Sequence, residues 1–371
     1  MTIAEIKPFR IDIPQSELDY LRERFSHARF AQEIPDSGST YGVPVSRVRH
    51  LVDHFLNDYD WRVWEERLNS HPQFTTEIDG QNIHFLHVES PESDAIPLLL
   101  THGWPGTVVE FVDMIDPLTD PKVNGSGSPA FHLVIPSLPG FGFSGPTVES
   151  GWGAVHTAKA WRELMARLGY ERYGLHGNDA GAFVAPEVGR IDRDHVLGVH
   201  VNQIFSFLSG DPTEMEGMSD EELAALERLQ WFHENMSSYD QLQSQQPQTL
   251  AHALVDSPAG LLAWMDQLFR EQVDDDFVLT NVLIHWFNDT IASSMRFYYE
   301  NEKNPVSTEP ADFPMASSSF AGDFQSIRRF SERDYTDIVQ WRVHDTGGHY
   351  AARQAPDVLA TDLRDFFGQL G

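Results

Sequence analysis

Leu175-His176-Gly177-Asn178-Asp179-Ala180-Gly181-Ala182 is the stretch on which the reading of this 371-residue chain turns. Tyr173 to His176 is short and apolar enough for a buried strand, Gly177 and Gly181 bracket a tight turn, and a helix follows. A strand running through G-x-D-x-G into a helix is the nucleophile-elbow pattern, with Asp179 in the position often held by serine. Such a turn forces strand and helix together, which suits the small residues at 177, 181 and 182. Asp179 would stand at a helix N-terminus, whose dipole favours the ionised carboxylate. The same string also fits a plain Asn-Asp-Ala-Gly turn capping a helix, so the surrounding sequence has to decide.

Around the elbow, Ile83–Val88, Ile96–Thr101, Phe131–Ile135 and Val196–Val201 are short apolar runs closed near Gly or Pro, and Thr157–Leu168 is helical in pattern. Strand, helix, strand in this order implies right-handed crossovers and a mostly parallel sheet, hence the α/β class. Residues 205–302 break the pattern with helices only: Ser219-x-x-Glu222 opens one, Leu250 to Phe269 forms a second, and Phe277 to Tyr299 a third. Ile338–Val343 then returns as a strand, Asp345–His349 as a loop and Leu359–Phe367 as a final helix. The first ninety residues read as helices followed by a strand, with Ser16 capping the first helix and Val48, Leu51, Val52, Phe55 and Leu56 marking the second. The chain therefore divides into an N-terminal extension (1–90) packing on core and cap, a first core segment (91–204), a helical cap (205–305) and a second core segment (306–371).

Composition removes several function classes. With 26 Lys+Arg against 56 Asp+Glu the net charge is −30, which excludes phosphate backbones and anionic membranes as partners. The only lysines are Lys7, Lys122, Lys159 and Lys303, and the acidity reads as a solvated shell. No cysteine is present, so disulfides, thiolate metal sites and cysteine nucleophiles are excluded. Residues 1–8 hold no leader-like apolar run and nothing approaches the roughly 18 apolar residues of a membrane span, so a cytoplasmic protein is expected. Metal-binding spacing is lacking, with His84 and His87 on opposite sides of a strand, and no G-x-G-x-x-G follows a strand; no metal and no cofactor are expected.

Three further places fit the elbow. His102-Gly103-Trp104-Pro105-Gly106 follows a strand as a Gly/Pro-punctuated loop, and in an α/β-hydrolase that loop supplies one oxyanion-hole N–H while the residue after the nucleophile supplies the other. The donors would be the amides of Trp104 and Ala180. In this fold the order is nucleophile, acid, histidine. His349, in Gly347-Gly348-His349-Tyr350, lies in a loop between the last strand and the last helix and fits the base. Asp323 in Phe320-Ala321-Gly322-Asp323 is the leading acid, with Asp312, Asp334 and Asp337 as rivals.

His102–Gly106, Leu138–Ser144, Gly177–Gly181 and Gly347–Ala352 together resemble the epoxide hydrolases of the α/β-hydrolase superfamily. Ile6–Phe9, Tyr59–Arg62, Leu68-Asn69 and Phe74–His87 resemble the N-terminal extension of its microsomal, or juvenile-hormone, branch, and Asp256–Leu261 and Ser293–Asn301 resemble its cap. The likeness spans nearly the whole chain and suggests a soluble bacterial-type member without the mammalian membrane anchor. It implies an α/β-hydrolase fold with an inserted helical cap and an N-terminal helical extension. It further implies that Asp179 is the nucleophile, His349 the base and Asp323 its orienting acid. Tyr298 and Tyr239 would be the cap tyrosines that hydrogen-bond the epoxide oxygen, Tyr299 lying about 100° around the helix from Tyr298. The implied reaction opens an epoxide to a vicinal diol through an ester of Asp179, whether for detoxification or secondary metabolism.

Two departures from the family pattern stand out. Asn178 and Ala180 flank the nucleophile where Gly and Trp are usual, which predicts a roomier pocket, a bulkier apolar epoxide, and Trp104, Asn178 and Ala180 as substrate-binding residues. Ala321 stands where Pro is common before the acid. Small-molecule epoxide and water are the expected partners, with a homodimer as the one protein assembly considered. The alternatives are a haloalkane-type dehalogenase with the same Asp nucleophile, whose usual halide-binding Trp position here holds Ala180, and a non-catalytic ligand-binding protein of this fold.

Overall fold

Short apolar segments satisfy their backbone groups only by pairing with one another. In the computed structural model, which describes residues 5–120, 129–269 and 272–370, they form a single sheet of β1 (Lys7–Phe9), β2 (Gln73–Ile78), β3 (Gln81–Val88), β4 (Ile96–Thr101), β5 (Phe131–Pro136), β6 (Tyr173–Gly177), β7 (Val196–Val201), β8 (Met315–Phe320) and β9 (Ile338–His344). The order across the sheet is β1-β2-β3-β5-β4-β6-β7-β8-β9. From β5 to β9 all neighbours are parallel, while β1, β2 and β3 extend one edge as antiparallel strands. This is the α/β-hydrolase architecture expected from the sequence. Residues 1–4 of the stretch read for a leader, and Lys122, lie outside the described residues.

Several local expectations need correction. Three strands, not one, precede residue 90: β1 is only three residues long, and β2 buries Gln73 and Thr76 alongside Ile78, which blurs its hydrophobic alternation. Ser16 lies inside helix Gln15–Ser26, whose N-cap is Pro14 with no side-chain cap. The helical run 250–269 is split into Pro247–Leu254 and Pro258–Phe269, since the residue before Pro258 resists helical geometry. The run 277–299 is split into Asp275–Phe287 and Ile291–Lys303 at Asp289, which takes a left-handed φ of 52°. Ser219 and Glu222 do form the reciprocal capping box of helix Asp220–Met236.

The sheet centre is closed to solvent, with Leu98, Leu99, Leu100 and Leu175 fully buried. Helices Ala154–Arg167, Ala180–Ile191 and Pro356–Gly368 supply much of the surrounding apolar cover. The N-terminal helices are tied to the inserted helices by buried polar links: Arg47 pairs with Asp266 at 3.0 Å and Asp275 at 2.6 Å, and Tyr59 Oη meets Thr280 Oγ1 at 2.9 Å. Among the described residues no helix is long and apolar enough to cross a membrane. The consequence for chemistry is positional. Loops leaving the carboxyl ends of β4, β6, β8 and β9 converge at one place, where open α/β sheets bind ligands.

Candidate active site

Asp179 follows β6 at a sharp turn, with φ 51° and ψ −118°, a conformation costly for a residue with a side chain. Tight packing imposes it. A Cβ on Gly177 would fall 2.0 Å from the Gly181 carbonyl oxygen, and one on Gly181 would fall 2.0 Å from that of Thr101. The carboxylate that results is divided between two tasks. Oδ1 accepts hydrogen bonds from the amides of Ala180 at 2.7 Å and Trp104 at 2.9 Å. Oδ2 lies 3.7 Å from His349 Nε2. Burial pushes the Asp179 pKa up, opposed by His349 and by the two amides.

His349, from the loop after β9, places Nδ1 3.1 Å from Asp323 Oδ2. Burial favours its neutral form, but the charge and hydrogen bond of Asp323, then Asp179 and Glu110, outweigh burial and bring it to about 9. Asp323 follows β8, is buried, and accepts a further hydrogen bond from Gln203 Nε2. The rival carboxylates are elsewhere: Asp312 is exposed beside Arg193, Asp334 pairs with Arg333, and Asp337 precedes the amino end of β9, away from His349.

Helices Ser238–Gln245 and Ile291–Lys303 bring Tyr239 and Tyr298 to the opposite side of the site. Their rings meet edge-on at 6.0 Å, and the Trp104 indole stacks on Tyr239 at 5.7 Å while meeting Tyr298 edge-on at 5.9 Å. Burial first, then the Asp179 charge, raises both phenol pKa values, so both remain neutral donors. Tyr299 faces elsewhere, with Lys303 Nζ 5.2 Å from its ring centre.

These groups border a cavity of about 1090 Å³ whose lining includes Asp179, Ala180, Tyr239, Tyr298 and His349, with Phe205 and Phe232 among its apolar walls. Two of the residues expected to bind substrate are placed differently. Asn178 is fully buried behind Asp179, its amide donating to Glu110 Oε1 at 2.7 Å and to the His349 carbonyl at 2.8 Å, because the elbow turns residues 178 and 179 in different directions. Trp104 underlies the tyrosines and is not part of the cavity lining. Ala180 is at the cavity wall. Gln203 and Glu110 were not singled out from sequence. An acid flanked by apolar residues on both sides, in Val108–Val112, was the available signal for Glu110, and a polar residue just past a buried strand was that for Gln203.

A family model described as "Epoxide hydrolase N terminus" matches residues 6–111, and one described as "alpha/beta hydrolase fold" matches residues 96–306. Epoxide hydrolase 1 of Sus scrofa is 32% identical over 98% of this chain and 89% of its own length. The chain belongs to the epoxide hydrolases. Among solved structures of that family, Aspergillus niger epoxide hydrolase matches with a TM-score of 0.88 at 30% identity, covering 99% of this chain and 97% of that one. The juvenile hormone epoxide hydrolase of Bombyx mori matches with a TM-score of 0.90 at 26% identity, covering 99% and 95%. Both likenesses run through the N-terminal extension, the sheet and the inserted helices, as expected for the microsomal and juvenile-hormone branch of the epoxide hydrolases.

Proposed function

We propose that this epoxide hydrolase opens its substrate to a vicinal diol by way of a covalent ester on Asp179. The observation that carries the proposal is the unequal environment of the two Asp179 oxygens. Oδ2, free of amide hydrogen bonds, attacks an epoxide carbon from the sheet side while Tyr239 and Tyr298 face the ring oxygen from the cap side. The carbon–oxygen bond breaks and the alkoxide takes a phenolic proton. Oδ1 becomes the ester carbonyl oxygen, already seated between the Trp104 and Ala180 amides that will hold the oxyanion.

Hydrolysis then falls to His349. Esterification removes the Asp179 charge beside Nε2, so the imidazolium releases its proton to solvent and becomes a base, taking a proton up again once the Asp179 carboxylate is restored. Water attacks the ester carbonyl carbon, one proton passing to Nε2 and then to the departing diol oxygen; the other returns to the tyrosinate. Asp323, held by Gln203, orients Nδ1 and stabilises the transient imidazolium. Residues 205–305 act as the cap over this site, and the space left by the Ala180 methyl admits a bulky, apolar epoxide.

The test is a His349→Gln variant incubated with aryl and alkyl epoxides, and with haloalkanes, followed by intact-mass measurement and peptide mapping. Loss of the base should strand an adduct equal in mass to the epoxide on the peptide holding Asp179. An alkyl adduct from haloalkanes alone would replace the proposal with dehalogenation. No adduct in a folded variant would refute covalent catalysis.

A further inference from the structure

Glu110 is a carboxyl group only 1% exposed, on the short helix Val108–Met114, directly behind the catalytic residues. Burying a carboxylate is costly, and a glutamine or a leucine would pack at lower cost. Its hydrogen bonds come from the Asn178 side chain and from Gly103 of the oxyanion loop. Asn178 uses one nitrogen for two ends of the site: one hydrogen is directed to Glu110 Oε1 at 2.7 Å, the other to the main-chain carbonyl of His349 at 2.8 Å. The residue next to the nucleophile thus grips the backbone of the base, and Glu110 anchors that grip.

We infer that Asn178 and Glu110 form a brace that positions His349 and serves ester hydrolysis, not ring opening. The inference rests on the ester mechanism proposed above, in which His349 acts only in the second half. Nδ1 of His349 is already held by Asp323, but one hydrogen bond leaves the ring free to pivot about it. The Asn178 contact fixes the backbone from which the ring projects, so Nε2 is kept 3.7 Å from Asp179 Oδ2.

Charge adds to position. The groups around the Glu110 carboxyl are Asp179 on the elbow, His349 and Tyr350 on the loop after β9, and more distant Asp323 after β8; Asp113, on the same helix, is paired with Arg353 and Arg67. Among these, His349 is the cation that forms during water attack. Burial pushes Glu110 up to about 7, against the Asn178 hydrogen bond and the His349 charge, so an imidazolium at His349 favours the ionised carboxylate.

Two variants separate these effects by single-turnover measurement of ester formation and ester hydrolysis across pH. Asn178→Gly should slow hydrolysis by about 10- to 100-fold, a typical consequence of a misplaced catalytic group, and leave formation nearly unchanged, so that ester accumulates and kcat and KM fall together. Glu110→Gln keeps an acceptor for Asn178 but removes the charge. It should retain most of the hydrolysis rate at high pH while its pH midpoint moves down by about one unit, because a carboxylate that favours the imidazolium is gone. Hydrolysis and midpoint equal to the parent in both variants would overturn the brace, as would equal slowing of both half-reactions, the mark of a general packing defect. If Glu110→Gln does not fold, Asn178→Gly decides alone. His349→Gln in parallel keeps the two ideas apart: no trapped ester there defeats the mechanism itself, whereas trapped ester with a parent-like Asn178→Gly defeats only the brace.

Discussion

Raising the pH should weaken this fold through one identified side chain. Burial favours the neutral His349 imidazole, yet Asp323, Asp179 and Glu110 together hold its proton to about 9 against an ordinary 6.5. A group that holds its proton more tightly folded than unfolded stabilises the fold below the unfolded value, and that contribution is lost as pH rises through the folded one. At 1.36 kcal/mol per pH unit, the interval from 6.5 to about 9 corresponds to about 3 kcal/mol, present near pH 6 and gone near pH 10. The assay is urea unfolding of the parent and His349→Gln at several pH values across this range. Glutamine does not titrate, so the difference between the two proteins isolates the imidazole from the self-repulsion of a chain with net charge −30. That difference should shrink by about 3 kcal/mol from the acid to the alkaline end, and Asp323→Asn should flatten most of it. A difference constant to within about 0.5 kcal/mol would refute the assignment of Asp323 and Asp179 as the groups that hold the proton.

Other outcomes follow from the same geometry. Ala180→Trp places an indole at the cavity wall and should lower kcat/KM for bulky aryl epoxides by at least about 10-fold while sparing small ones, since tenfold corresponds to about 1.4 kcal/mol of lost fit; equal losses for all sizes would dismiss the cavity as the determinant. Tyr298→Phe should slow ester formation by on the order of 10²-fold and leave hydrolysis of a preformed ester unchanged, read by rapid-quench mass measurement. Gly103→Ala would put a methyl 2.3 Å from Asp179 Cβ and Oδ1, so thermal unfolding should shift downward and adduct formation should vanish; an active, equally stable variant would show that the loop and elbow are not held this closely.

What was legible in the sequence is local. Gly177 and Gly181 mark the elbow because backbone contacts near 2.0 Å would leave no space for a Cβ, a constraint written residue by residue. Alternation and apolar runs exposed the central strands for the same reason, but β1 and β2 carry too little hydrophobic contrast, and the helix breaks at 255–257 and 288–290 depend on single residues within otherwise continuous patterns. The chemical character of Asp179, Asp323 and His349 could be read from motif and chain order, whereas Tyr239 and Tyr298 came to notice only through the family resemblance.

Distances and directions were decided by the tertiary structure. β8 lies beside β7 in the sheet although the inserted helices separate them in the chain, and that pairing brings Asp323 to Gln203, 120 residues away, while the β8–β9 pairing brings it to His349. Asn178 reads as a pocket residue next to Asp179, yet the elbow sends its amide backward to Glu110, 68 residues earlier, and to the backbone of His349, 171 residues later. Sequence determines what each residue can do and how its own turn of backbone must bend; which residues it does it with depends on the order in which strands cross over one another, a long-range packing outcome that no local pattern encodes.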